Sequence, residues 1–199
     1  LLGWCRYQTG AYQEAAGLLE KGIPELTVLS EKLSCMNSLA EVFLAMDACE
    51  KAVDVCGQIL SMEKNYYPAY VNRQEAYFRL QNGQQVVDDY YRAVEIYPGY
   101  YKPYLLAEKV FFFCHQYEDA LDVVKRAEEN QVEPSDQMKL YRLKALRNLA
   151  NNSEDRKKIL ADLLFLEKAV DREKTDLEDM SELKYELALL KWDDNVMDD

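Results

Sequence analysis

Residues 67–100, YPAYVNRQEAYFRLQNGQQVVDDYYRAVEIYPGY, decide the fold because the next 34 residues repeat their pattern. Residues 101–134 align with them without a gap. In both segments an apolar-rich helix is followed by a polar turn and a second amphipathic helix. A fixed period of this length indicates a repeat architecture, so the sequence predicts an all-α chain of helical hairpins.

The pattern continues on both sides of this pair. One position in the second helix of each repeat holds a small or medium-sized apolar residue, at spacings of 37, 34 and 34 residues: Ala15, Ala52, Val86 and Ala120. Large residues recur in the first helix at Met36, Tyr70 and Tyr104, and again at Phe43, Tyr77 and Phe111. This distribution of large and small residues resembles the tetratricopeptide repeat. Arg73, Gln74 and Glu108 depart from it, since that repeat has Leu and then a small residue at their positions.

The resemblance implies an α-α superhelix, a solenoid of stacked antiparallel helix pairs. We expect one solenoid over residues 1–199, truncated at both ends. Its predicted parts are a repeat lacking some of its first helix (1–29), three repeats (30–66, 67–100, 101–134), a degenerate hairpin (135–172), and a linker with the first helix of a further repeat (173–199). Residues 171–179 form either that longer connection or a helix extension. We expect the chain to be part of a longer protein.

Charge and composition exclude several functions. Lys and Arg number 24 against 36 Asp and Glu, a net charge of −12, which disfavours nucleic acid and anionic membrane surfaces as partners. The longest apolar run, residues 110–114, is too short to span a bilayer. The five cysteines, an odd number without close pair spacing, indicate a reducing compartment, so we expect a cytoplasmic protein.

The sequence offers little for catalysis. Its single histidine, His115, falls in a turn beside Cys114, and we expect it to be a solvated turn residue. No Gly-rich phosphate loop or metal-ligand spacing is present. Adjacent acids such as Asp88 with Asp89, and Asp193 with Asp194, face apart on a helix, so we expect them to be solvated. We therefore predict no catalytic residue, no cofactor and no metal.

What remains is a binding surface. In the family that the chain resembles, the first helix of each repeat lines a concave groove, and this implies a partner-binding groove formed by Tyr7, Asn37, Glu41, Leu44, Val71, Glu75, Phe78, Lys102, Leu105, Lys109, Phe112, Tyr185 and Trp192. Large apolar side chains recur at one phase of these helices and suit partner anchors. Alternatively, Phe78 and Phe112 pack between neighbouring helices. Tyr66, Tyr67, Tyr100 and Tyr101 contact either a partner or each other.

We expect a non-enzymatic scaffold or adaptor that binds an apolar or basic segment of another protein, and we favour a monomer over an oligomer. One alternative is a co-chaperone, such as the repeat part of a J-domain protein. Another is the regulatory arm of an enzyme whose catalytic domain, for example a glycosyltransferase, phosphatase or kinase, lies elsewhere. Chaperone-binding relatives hold an acidic tail at five positions, occupied here by Asn37, Glu41, Asn72, Lys102 and Leu106. Only Asn72 and Lys102 match, so we expect negligible binding of acidic tails.

Overall fold

The computed structural model describes the backbone of residues 10–170 and 177–197, with side chains for 10–170 and 180–191. These residues form ten α-helices and one short 3-10 helix, Ile23–Glu25. The α-helices are α1 Tyr12–Gly22, α2 Leu29–Ala45, α3 Cys49–Met62, α4 Tyr67–Arg79, α5 Gly83–Ile96, α6 Tyr101–Phe113, α7 Tyr117–Glu129, α8 Asp136–Leu149, α9 Ser153–Ala169 and α10 Leu177–Met197. The described ranges contain no strand, and the prediction of an all-α repeat fold is confirmed.

The repeat pattern predicts turns near residues 8–10, 45–47, 81–83 and 114–116. The helices break at residues 46–48, 80–82 and 114–116, each within one residue of its predicted turn, and the predicted turn at residues 8–10 lies outside the description apart from Gly10. Asp47, Gln81 and His115 take left-handed backbone conformations, with φ of 56°, 58° and 59°. One left-handed residue ends a helix and reverses the chain within about three residues, so consecutive helices lie antiparallel.

The chain divides into two compact units, residues 1–106 and 107–199, and α6 contributes to both. In the first unit the small side chains of Ala15, Ala52 and Ala93 are fully buried and allow neighbouring helices to approach closely. In the second unit Ala120 and Ala127 are buried in the same way, and Leu140, Leu163, Leu183 and Leu190 form the core of α8 to α10. The repeat limits themselves remain a prediction.

The repeat pattern predicts that Tyr90 of the second helix and Tyr104 of the following first helix lie in the core, and the two stack on each other in the first unit. The rings of Tyr90 and Tyr104, 1% and 0% exposed, pack edge to face with centroids 5.5 Å apart. The Tyr104 hydroxyl donates a hydrogen bond to the Pro98 carbonyl at 2.9 Å. Both tyrosines therefore serve the helix packing that the repeat pattern assigns to them.

One of the acidic side chains that were predicted to be solvated is buried. Asp88 is exposed, as expected, but solvation of Asp89 is wrong, since it is only 3% exposed. Arg73 on α4 donates from Nε to Asp89 Oδ2 at 2.9 Å and from Nη2 to Oδ1 at 2.7 Å. A two-point guanidinium pair of this kind offsets part of the lost hydration, although burial still raises the pKa of Asp89 above its ordinary value. The side chains of Asp193 and Asp194 lie outside the described residues.

The position that normally holds a small residue is polar and buried in two successive repeats. Gln74 is fully buried, and its Nε2 donates to the carbonyls of Val86 at 3.2 Å and Pro103 at 3.0 Å. Glu108, one period later, is also fully buried, and neither carboxylate oxygen has a hydrogen-bond partner among the described residues. Burial raises the pKa of Glu108 well above its ordinary value, and the charges of Lys109 and Arg142 offset this only in part.

Candidate functional site

A cleft of about 490 Å³ lies within the first unit, where the first helices of three successive predicted repeats meet. Helix α2 contributes its C-terminal half, α4 most of its length, and α6 its first turn together with the residue before it. The lining residues are Glu41, Leu44, Ala45, Tyr67, Pro68, Val71, Asn72, Glu75, Arg79, Tyr100 and Lys102. The cleft therefore lies on the helices from which the sequence predicts a groove.

Part of the lining is apolar and aromatic. Leu44 and Val71 are 5% and 7% exposed, so each belongs to the core while also bordering the cleft. The rings of Tyr67 and Tyr100 pack edge to face with centroids 6.4 Å apart, and Tyr97 packs against Tyr67 at 5.3 Å. Tyr67 is half-buried, and Tyr97 and Tyr100 are exposed. Accessible tyrosine rings offer large contact area and little side-chain entropy to lose, which suits a binding surface.

Three charged side chains connect the helices of the cleft. Glu75 on α4 accepts from Lys102 on α6 and from Arg79 one turn further along α4. Burial raises the pKa of Glu75, but the two cations together lower it by more. The pKa of Glu75 therefore lies below its ordinary value. Arg79 Nη1 also donates to the Leu44 carbonyl on α2 at 2.7 Å and lies 3.8 Å from Asp47. Both cations of the cleft are thus engaged within the protein.

The second carboxylate of the cleft, Glu41, is held by amides. Asn37 Nδ2 donates to Glu41 Oε1 at 2.9 Å, and Asn72 Nδ2 donates to Asn37 Oδ1 at 3.0 Å. Burial raises the pKa of Glu41, while hydrogen bonds from Asn72 and Asn37 and the nearby charge of Lys102 lower it in part. Among the described residues no Lys or Arg forms an ion pair with Glu41.

The cleft brings together six of the residues predicted for the groove. Five of them line the cleft: Glu41, Leu44, Val71, Glu75 and Lys102. The sixth, Asn37, donates a hydrogen bond to Glu41. Two further residues of the first helices do not line it: Phe78, which is half-buried, and Leu105, which is 7% exposed. The predicted groove residues thus separate into a cleft and the packing around it.

The remaining predicted groove residues fall in the second unit or outside the description. Phe112 packs against Tyr141 on α8 with ring centroids 5.3 Å apart, and Lys144 Nζ lies 4.9 Å from its ring centre. Lys109 donates to Gln137 Oε1 at 3.2 Å. Tyr185 on α10 is 63% exposed. The structure does not describe Tyr7 or the side chain of Trp192.

Six lining residues were not among those predicted for the groove: Ala45, Tyr67, Pro68, Asn72, Arg79 and Tyr100. The signal for Arg79 is its spacing four residues after Glu75, which places the two on one helix face. The sequence left two roles for Tyr67 and Tyr100, contact with a partner or contact with each other. The structure places both at the cleft and in ring contact with each other. Their turn positions explain this, because the first turns of α4 and α6 border the cleft.

Chemistry elsewhere is sparse. His115 is exposed in its turn, as expected, with Nδ1 2.8 Å from the Tyr117 hydroxyl. Within the described part of the chain, no group of three or more His, Cys, Asp or Glu side chains is arranged to hold a metal ion. Across residues 10–170 and 177–197, no helix combines the length and apolar character needed to cross a membrane.

No sequence profile of a known protein family matches the chain, and no curated protein sequence matches it. The structure of the chain does match solved structures. TTC0263, a thermophilic TPR protein of Thermus thermophilus, aligns with a TM-score of 0.66 at 18% identity, covering 94% of this chain and 96% of that one. MamA aligns with a TM-score of 0.74 at 14% identity, covering 85% and 96%. A Podospora anserina protein described as a kinesin light chain with nearly identical TPR-like repeats aligns at 0.65 and 16%, covering 86% and 94%. The chain therefore has the tetratricopeptide-repeat fold.

Proposed function

We propose that the protein is a non-catalytic interaction module that holds a segment of another protein in the cleft between α2, α4 and α6. The observation that carries the proposal is the lining itself, in which apolar, tyrosine and charged side chains share one preformed cavity of about 490 Å³. Three packed helices fix these groups in place, so little ordering entropy is lost when a partner binds. A mixed lining of this kind suits a peptide segment, which presents apolar and polar groups together.

Other properties support a protein partner inside a reducing compartment. A net charge of −12 opposes nucleic acid and anionic lipid. The four cysteines within the described residues, Cys35, Cys49, Cys56 and Cys114, are free thiols, which is compatible with the proposed reducing compartment. We also infer that the protein acts as a monomer, which leaves the cleft open to its partner.

The cleft disfavours the co-chaperone alternative. An acidic chaperone tail needs free cations, but Lys102 is paired with Glu75, and Asn72 already donates to Asn37. Glu41 adds a like charge at the same place. We expect a synthetic acidic chaperone C-terminal peptide to give no saturable heat signal in calorimetric titration. Micromolar binding that Asn72→Ala and Lys102→Ala abolish would instead support the co-chaperone function.

Filling the cleft tests the proposal directly. Ala45 is exposed and lines the cleft, so Ala45→Trp obstructs it without disturbing the core. Peptides are selected on the wild-type protein from a phage-displayed library of random dodecapeptides and then measured individually by fluorescence polarisation. We expect Ala45→Trp to weaken their binding about tenfold or more, because occupying a preformed pocket removes the contacts of the central anchor residue.

The matched control is Ala161→Trp, the same change at an exposed position of α9. It should leave the affinity of the selected peptides unchanged. Equal loss in both variants, or no loss in Ala45→Trp, would contradict binding in the cleft.

A further inference from the structure

Building on the proposed function, we propose that Glu41 recognises a cationic side chain, arginine or lysine, of the partner segment. The four charged residues lining the cleft are Glu41, Glu75, Arg79 and Lys102. Three of them are paired with one another, because Glu75 accepts from both cations. Arg79 also donates to the Leu44 carbonyl. Glu41 is the lining charge for which the described residues provide only neutral hydrogen-bond donors.

A half-buried carboxylate without an ion-pair partner has lost hydration that its amide partners replace only in part. The rise in the pKa of Glu41 has this origin. A guanidinium or ammonium from a partner would supply the missing charge in a place already shielded from water, where such a pair gains more than at an exposed site.

The surroundings of Glu41 match the rest of such a side chain. Leu44 and Val71 offer apolar surface to the methylene stem that arginine and lysine share. The rings of Tyr67 and Tyr100, set at 75° to each other, present electron-rich faces in two directions. The cleft therefore combines a carboxylate, an apolar stem site and aromatic rings, which is the complement of a long cationic side chain.

Charge favours this occupant over an acidic one. An acidic side chain would have to compete with Glu75 for Lys102 or Arg79 and would lie in the same cleft as the carboxylate of Glu41. The net charge of −12 also attracts basic segments and speeds their encounter with the protein. The partner segment therefore carries an arginine or lysine next to an apolar residue.

The experiment uses the selected dodecapeptides whose binding Ala45→Trp weakens. Each basic residue is replaced in turn, arginine by citrulline and lysine by acetyl-lysine, which removes the charge and keeps the length. We expect one replacement per peptide to weaken binding to the wild-type protein about tenfold. The Glu41→Gln variant should bind the parent peptide more weakly than the wild-type protein does, by a similar factor. It should bind the parent peptide and the neutralised peptide with equal affinity.

The control variant is Glu31→Gln, which removes an exposed carboxylate of α2 outside the cleft and should change neither affinity. Because the peptide replacements are measured on the unaltered protein, the result does not depend on how Glu41→Gln folds. Cleft-binding peptides that lack a basic residue, or tolerate its neutralisation, or are enriched in Asp and Glu, would overturn the role of Glu41 while the cleft remains the binding site. Failure to select any peptide sensitive to Ala45→Trp would overturn both.

Discussion

Arg73→Ala lowers the free energy of unfolding by about 3–5 kcal/mol, because it leaves the carboxylate of Asp89 buried without a cation. Asp89 is 3% exposed, and Arg73 is its two-point partner at 2.9 and 2.7 Å. The variant also loses the guanidinium lying 5.5 Å from the centre of the Tyr70 ring. Urea unfolding followed by circular dichroism measures the change.

The control for this variant is Arg92→Ala. Arg92 and Glu95 form an ion pair at 2.8 Å in which both side chains are mostly exposed, so we expect a loss below about 1 kcal/mol. The double variant Arg73→Leu with Asp89→Leu should recover most of the stability, since neither polar group is then left unpaired. Equal losses for Arg73→Ala and Arg92→Ala would contradict a buried pair that needs both partners.

Glu108→Gln raises the free energy of unfolding at neutral pH and reduces its dependence on pH. The folded state keeps the Glu108 proton because its pKa is raised by burial, whereas the unfolded chain releases it near the ordinary value. The folded state thus binds more protons between these two pKa values. The contribution of Glu108 to the free energy of unfolding is fully present at pH values below its ordinary, unfolded-state pKa. It falls by on the order of 1 kcal/mol per pH unit as the pH rises toward its folded-state pKa.

The amide introduced by Glu108→Gln can also form the kind of hydrogen bonds that Gln74 forms one repeat earlier. Gln74 donates to the carbonyls of Val86 and Pro103, whose equivalents one period later are those of Ala120 and Gln137. Urea unfolding at a series of pH values measures both effects, with the exposed Glu118→Gln as the control. Lower stability of Glu108→Gln at neutral pH, or a pH dependence identical to that of the wild type, would contradict a neutral Glu108 in the folded protein.

The helical hairpins were predictable because their determinants are local. The 34-residue period predicts turns near residues 81–83 and 114–116, and the small residues Ala52 and Ala120 mark close helix contacts. The pairing of Arg73 with Asp89 was not predicted, because the two lie 16 residues apart on facing helices. An arginine at a position that normally holds leucine was the available signal, since a buried cation requires a carboxylate nearby.

The candidate site was predictable in its location and less so in its character. Resemblance to the repeat family placed Glu41, Val71 and Glu75 on one face, and the structure brings them to one cleft. The sequence favoured large apolar anchors, but Phe112 packs against Tyr141 and Leu105 is buried outside the cleft. Whether an apolar residue faces a partner or the next helix depends on helix rotation, which the sequence period does not determine closely enough.

Backbone amide chemical-shift mapping by NMR tests the binding account most directly. A selected dodecapeptide is titrated into the ¹⁵N-labelled protein, and the shifted amides are assigned to helices. We predict shifts concentrated in the C-terminal half of α2, in α4, and in the first turn of α6, where the cleft residues Glu41, Val71 and Lys102 lie. Shifts concentrated in α3 and α5, with α2 and α4 unchanged, would contradict the proposal that a partner segment binds in the cleft.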